Sequence, residues 1–331
     1  MQLLNYNISE GESPDSLPSD GKVTPVGSQQ FALQKPHWHL AVLEGDKLRA
    51  RASLWLHETP ALDRQKTALV GHFEADSADS AARLLDAAKR VAAEHDCRAL
   101  LGPMDGSTWF RYCWVTERGD GKPFLMEPWN PAAYPAYFEA AGVRPIAAYE
   151  SSLIENLNQR DARLDRVKRR IDELGISFSR IAPETFEQDL ADLYPLCLKA
   201  FQNNLFYTPV READFRALYE PFRERMVPEF TLIARHRGEA VGFCFCMPDL
   251  NRQAAGHPLD TLIVKTLAVL PDRAYAGMGS WMTEVCQHSG LAAGMTRAIH
   301  ALKAEHNRSQ GLASKYGGSC YRRYHLYGCA L

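Results

Sequence analysis

Many signals that would assign a function quickly are missing from this sequence. Its eight cysteines include no C-x-x-C pair, so zinc-ribbon and thioredoxin-type spacings are excluded. Cys244-Phe-Cys246 lies inside an apolar run. Alternation along a strand would put both thiols on one face, and we read them as buried free cysteines with no metal expected. No apolar stretch approaches the ~18 residues that would mark a membrane span. No basic-then-apolar segment opens the sequence. The expectation is a reduced, cytoplasmic protein without a membrane partner. Net charge is only −2, so there is no broad basic field for nucleic acid. The one basic run, Arg166-Val-Lys-Arg-Arg170, is surrounded by Asp161, Asp165, Asp172 and Glu173 and reads as a solvated helix face. H-E-x-x-H, G-x-S-x-G, the P-loop pattern and G-x-G-x-x-G are all absent. That removes sequence support for a zincin, a serine-hydrolase elbow, a P-loop nucleotidase and a dinucleotide fold.

What remains is an ordinary globular composition, 46% hydrophobic and 24% charged over 331 residues. The length allows two domains of about 150 residues. Residues 1–30 are rich in Ser, Gly, Asp and Pro, and part of this stretch reads as a loose arm. Strands are expected at 38–43, 48–56, 67–74 and 97–102, with a strong helix over 79–95. Residues 102–109 and 124–131 are dense in Pro, Gly, Trp and Asn and read as ordered loops over a cleft. A short helix over 135–141 and one or two strands over 143–154 follow. A charged helix over 155–174, ending at Gly175, marks the domain boundary. The second half then repeats the order. Strands are expected at 176–181, 229–235, 240–247, 262–269, 297–303 and 321–331. Helices are expected at 186–203, 211–226, 279–292 and 309–316, and Met247–Asn251 reads as a turn.

The most informative stretch is Val264-Lys-Thr-Leu-Ala-Val-Leu-Pro-Asp-Arg-Ala-Tyr-Ala-Gly-Met-Gly-Ser280. A β-like run ends at Pro271, a loop of small residues follows, and Gly277-Met-Gly279 opens a helix. Strand, glycine loop and helix N-terminus together make a seat for phosphates, because free backbone N–H groups and the helix dipole both favour an anion there. Gly277 and Gly279 allow close backbone approach.

On these residues, and on the element order of 176–331, the chain resembles the GCN5-related N-acetyltransferase (GNAT) superfamily. That family's loop has Arg or Gln, two residues, Gly, one residue, then Gly or Ala. Gly277 and Gly279 match, whereas the Arg/Gln position is Ala274, with Arg273 one residue early. The resemblance implies an α/β (α+β) fold of tandem GNAT-like domains, each a mixed, mostly antiparallel sheet flanked by helices. The first, 1–154, has no matching glycine loop and is expected to lack cofactor. The second, 155–331, with a linker helix over 155–175, is expected to be catalytic.

The implied activity is acyl-CoA-dependent N-acyl transfer. In its most specific form this is acetyl transfer from acetyl-CoA to an amine of a small molecule or peptide, by direct attack in a ternary complex. Cofactor contacts are implied for Leu267, Val269, Ala274, Tyr275, Ala276, Gly277, Met278, Gly279, Ser280 and Asn307. Tyr316 is the expected general acid for the leaving thiolate, and Glu305 the acceptor of the amine proton. Asp249, Asn251, Asn204, Tyr207 and Lys265 are candidate acceptor contacts. Trp109, Trp129 and Asn130 of the first half are candidate lining of the acceptor cleft. An aminoacyl-tRNA-dependent peptidoglycan aminoacyl-transferase and a non-catalytic binding module of the same fold are the alternatives.

Overall fold

The computed structural model describes residues 1–14, 17–119, 121–305 and 313–331. The first half runs β1 (Gln2–Asn7), α1 (Ser28–Gln34), β2 (Trp38–Glu44), β3 (Lys47–Trp55), β4 (Thr67–Ala75), α2 (Ala78–Glu94), β5 (Ala99–Gly102), β6 (Trp114–Glu117), α3 (Tyr134–Ala140) and β7 (Arg144–Ile154). The second half runs α4 (Leu164–Glu173), β8 (Ser177–Ser179), α5 (Phe186–Phe201), α6 (Glu212–Tyr219), β9 (Thr231–His236), β10 (Glu239–Pro248), α7 (Leu250–Ala254), β11 (Thr261–Val269), α8 (Met278–Ala292), β12 (Arg297–Ala304) and β13 (Ser319–Ala330).

These elements follow local chemistry. Ser77 and Ser80 cap α2 reciprocally, satisfying amides that the first turn leaves open. Its residues Ala81, Leu84, Leu85, Ala88, Val91 and Ala92 are all buried against β2, β3 and β4, the stripe expected from helical spacing. The second half is layered likewise. α8 covers one face of β10 and β11 through Met278, Met282 and Cys286. α5 and α6 cover the other face through Leu190, Leu193, Cys197 and Phe215.

All the strands join one mostly antiparallel sheet in the order β1-β2-β3-β4-β5-β13-β7-β12-β11-β10-β9-β8, with β6 pairing β13 off this path. Two pairs are parallel, β4 with β5 and β11 with β12. The central strands are exchanged between the halves of the chain. β7, from the first half, runs antiparallel to β12. β13, from the second, fills the place beside β5, with Tyr327 opposite Gly102 and Ala330 opposite Ala99. β7 and β13 pair from Ser319↔Leu153 to Gly328↔Arg144. The expected units 1–154 and 155–331 therefore share their middle strands.

Several expectations need correction. Residues 1–30 are not simply a loose arm: β1 pairs with β2 along its length, and Leu17, Val23 and Val26 are buried. Leu3 and Tyr6 pack from β1, an apolar contribution that the surrounding Ser, Gly and Pro conceal. The helix over 155–174 shrinks to α4, because Asp161 turns the chain by accepting the Arg163 backbone N–H at 3.1 Å. Helix 211–226 ends as α6 at Tyr219, with a 3-10 turn over Glu220–Arg225. The turn at Met247–Asn251 is instead the end of β10 and the start of α7, with Asp249 as N-cap. Of the helix expected over 309–316, residues 309–312 lie outside the described residues. Among the described residues, no helix is long and apolar enough to cross a membrane.

The exchanged strands make the middle of the sheet depend on β13. A chain ending at Gly318 leaves β5 and β7 with unpaired edges. It is expected to lose cooperative urea unfolding by circular dichroism. A native-like transition in that chain would refute this dependence.

Candidate active site

β11 and β12 pair only from Thr261↔Arg297 to Val264↔His300. Beyond that point they separate, while β11 stays paired to β10 up to Val269 and β12 to β7 up to Ala304. The divergence begins at a β-bulge: Phe245 faces Thr266 and Cys246 faces Val264, leaving Lys265 as the extra residue. A bulge bends and twists its strand. Residues 265–269 thus present a backbone edge to a V-shaped opening instead of to a neighbouring strand.

The glycine loop stands at the mouth of this opening. Asp272 accepts the Ala274 N–H at 2.8 Å and starts a short 3-10 turn, Arg273–Tyr275. The Tyr275 hydroxyl lies 2.8 Å from His236 Nδ1. Gly277 has φ +82° and is the N-cap of α8, with no side-chain cap among the described residues. A left-handed residue here favours glycine. The first-turn amides of Met278, Gly279 and Ser280 have no carbonyl within the helix to bond. Gly279 lies on the splayed end of β11, since a Cβ there would stand 3.3 Å from Leu267 and 3.4 Å from Val269. Of the expected cofactor contacts, the structure brings Leu267, Val269 and residues 274–280 together. Asn307 lies outside the described residues.

α4 packs against this loop. A Cβ on Gly277 would meet Val167 at 2.8 Å, and the Arg170 guanidinium donates to the Ala276 carbonyl. The basic run expected to be a solvated face is therefore divided. Arg166 and Arg169 are exposed, while Val167 and Arg170 hold the loop.

On the opposite face of the sheet lies a buried polar cluster. Glu127, from the Pro- and Trp-rich loop of the first half, forms an ion pair with Arg322 of β13 at 2.7 Å, and both side chains are fully buried. The same carboxylate oxygen accepts the Tyr324 hydroxyl at 2.6 Å, and the other accepts the Phe124 N–H at 3.1 Å. Tyr324 also contacts Ser151 at 3.0 Å. Burial pushes the Glu127 carboxyl up to about 7, against the opposing pull of Tyr324 and Arg322. Burial likewise brings Lys265 down to about 8, with Glu127 acting to raise it. Two titrating groups with pKa values near neutrality, at a strand bulge, are suited to proton transfer. Sequence reasoning named Lys265 but missed Glu127. The stretch 124–131 carries its signal, but Trp129 and Asn130 are the more conspicuous residues there.

The other candidates have visible partners. The Tyr316 hydroxyl donates to Glu284 at 3.0 Å within the core beneath α8. Glu305, at the end of β12, faces Arg323 at 3.4 Å. Asp249 accepts the Leu125 N–H at 3.0 Å besides capping α7, and Asn251 reaches the Pro123 carbonyl at 3.4 Å. Both tie the first-half loop to the second half. Trp109 does the same: its indole N–H donates to Thr208 O at 3.0 Å, and its ring stands 6.1 Å from Tyr207 and 5.7 Å from Phe201. Asn204 is exposed nearby. The guanidinium groups of Arg118 and Arg322 both lie over the Trp129 ring, at 4.5 and 5.0 Å from its centroid. Asn130 accepts the Val115 N–H at 2.8 Å.

The first half has the corresponding opening, but it is filled. β4 and β5 pair in parallel only from Thr67↔Ala99 to Leu69↔Leu101, and β4 carries a bulge against β3 between Arg51 and Ser53. The chain leaving β5 then turns into the gap. The Met104 N–H donates to Val70 O at 2.9 Å, and Asp105 accepts the His72 N–H at 2.6 Å. A Cβ on Gly71 would stand 2.3 Å from the Met104 carbonyl, so only glycine admits this approach. Asp76 and Ser77 alone connect β4 to α2, whose N-terminus Ser77 caps.

The electrostatic link between Glu127 and Lys265 is testable. Glu127→Gln removes the negative charge that favours the ammonium, so the Lys265 titration is expected to fall below about 8. The pH dependence of Lys265 labelling by an amine-directed acetylating reagent, read by mass spectrometry, reports it. An unchanged or higher midpoint would contradict the coupling.

No family model and no curated protein matches the sequence. Solved structures do match it. A GCN5-related N-acetyltransferase from Anabaena variabilis has a TM-score of 0.56 at 8% identity, covering 99% of this chain and 72% of that one. A tandem GNAT protein from the clavulanic acid biosynthesis pathway has a TM-score of 0.50 at 13% identity, covering 99% and 98%. A GCN5-related glucosamine N-acetyltransferase region of a fungal multi-domain β-N-acetylglucosaminidase gives 0.53 at 14%, with 93% of this chain covering 35% of that protein. At these identities the likeness is one of fold, and it agrees with the splayed strands and the open helix start. The chain has the fold of the tandem GCN5-related N-acetyltransferases.

Proposed function

We propose that the chain is an acyl-CoA-dependent N-acyltransferase, transferring acetyl from acetyl-CoA to an amine of a small molecule or peptide by direct attack in a ternary complex. The observation that carries this reading is the opening between β11 and β12 with the uncapped start of α8 at its mouth. The amides of Met278, Gly279 and Ser280 would hold the pyrophosphate, which supports the reading without the Arg/Gln side chain that Ala274 replaces. The edge at Leu267 and Val269 would align the pantetheine amides. The cofactor's thioester supplies an activated acyl carbon. The chain must bind and orient both partners and take a proton from the acceptor amine.

For that proton we assign Glu127 in place of Glu305. Glu127 is buried on the α5 and α6 face and acts electrostatically on Lys265 at the bulge. Its raised pKa of about 7 makes it a useful base near neutral pH. Glu305, by contrast, is partly exposed and faces an exposed Arg323. Tyr316 remains our proposed acid for the thiolate. Burial, with Glu284 alongside, holds its phenol protonated far above neutrality. The acceptor would enter from the face roofed by Trp109 and Tyr207. In the first half, Met104 and Asp105 occupy the equivalent gap, and we propose that this half binds no cofactor.

The seat is tested by Ser280→Asp. A carboxylate in the first turn favours the helix by about 0.3–1 kcal/mol but repels phosphate. Thermal stability is expected to hold or rise while calorimetric affinity for acetyl-CoA falls by at least roughly tenfold. Wild type is expected to bind one acetyl-CoA per chain. Equal affinity in the two proteins would sink the assignment.

Glu127 is tested by the pH profile of CoA release with an accepted amine. The base must be ionised, so kcat/KM is expected to rise with pH through about 7. Glu127→Gln is expected to lose this limb and about 10²–10⁴ in rate. A retained limb in a folded variant would return the role to another group.

A further inference from the structure

The two cysteines of Cys244-Phe-Cys246 do share a face of β10, and that face meets α8. There the third thiol, Cys286, completes a group whose sulfurs all lie within 4.8 Å of one another, every residue being buried. Cys244 Sγ and Cys246 Sγ are 3.8 Å apart. That is almost twice a disulfide bond of about 2.05 Å. It is close to the roughly 4 Å edge of a trigonal site with metal–sulfur distances of about 2.3 Å. The surroundings are sulfur-rich as well: Met278 and Met282 precede Cys286 at helical spacing on α8 and lie against Gly242 of β10. The triad includes no imidazole or carboxylate, so the donors are soft throughout.

We propose that Cys244, Cys246 and Cys286 form a three-sulfur site for one soft d10 metal ion, Cu(I) or Zn(II), that clamps β10 to α8. The inference stands apart from the acyltransferase reading. The sequence conceals this site because Cys286 lies on another element, far from the other two in the chain.

The test uses the full-length, reduced protein, titrated anaerobically in separate arms with Cu(I) and with Zn(II), each against a chromophoric chelator. One equivalent of one ion is expected to bind. Affinity is expected to fall by about a hundredfold or more in Cys286→Ala and Cys244→Ala, beyond the usual cost of losing an outer-shell partner. Cys97→Ala, a buried thiol elsewhere, is expected to bind as wild type does. Absence of one-equivalent binding in both arms, or unchanged binding in Cys286→Ala, overturns the proposal. If the variants fail to fold, X-ray absorption on the loaded wild type decides. A shell of three sulfurs near about 2.3 Å supports the site, and an oxygen or nitrogen shell near about 2.0 Å refutes it.

Discussion

The antiparallel ladder between β7 and β13 is the constraint on which the rest of the structure depends. Each strand pairs with a partner from the other half of the chain, β7 with β12 and β13 with β5. The two halves cannot settle their registers separately. A slip by one residue would turn every side chain of β13 to the other face, removing Arg322 and Tyr324 from Glu127. The same ladder therefore closes the sheet and assembles the buried polar cluster. The Glu127–Arg322 pair is a poor source of stability, because burying two charges costs roughly what their attraction returns. Its value is geometric: it fixes where a first-half loop rests on second-half strands.

The two halves share one plan and differ in how they treat a single gap. In each, a parallel pair ends early and one of its own strands, β11 or β4, bulges. In the second half a long glycine loop and an uncapped helix leave the gap open. In the first, Gly71 lets the chain after β5 enter it, and Ser77 closes the helix start. Repetition of fold thus comes with divergence in use, through a few residues that need not alter the core.

Much of this was legible in the sequence. The apolar spacing of α2, the strands around 48–56, 67–74 and 262–269, and the loop Leu270–Ser280 are local patterns, governed by side-chain period and backbone freedom. What was not legible is long-range. Nothing near β13 in the chain reveals that it pairs with β5. Glu127 is one carboxylate in a loop until burial, working against Arg322 and Tyr324, gives it a raised pKa. Lys265 reads as an ordinary strand lysine until it proves to be the bulge residue, within the electrostatic reach of that carboxylate. Tyr316 and Glu305 follow from the resemblance alone, and their partners, Glu284 and Arg323, lie on other elements that the sequence does not bring near them. β1 was overlooked because its apolar residues sit among turn-forming neighbours.

The position of β13 has a consequence for synthesis. It follows every other strand in chain order but occupies the centre of the sheet. While a ribosome is still extending the chain, β5 and β7 must wait with exposed edges, and such edges invite pairing with foreign strands. The nascent protein is thus most vulnerable to aggregation until β13 emerges, and its proposed catalytic carboxylate meets its arginine only then.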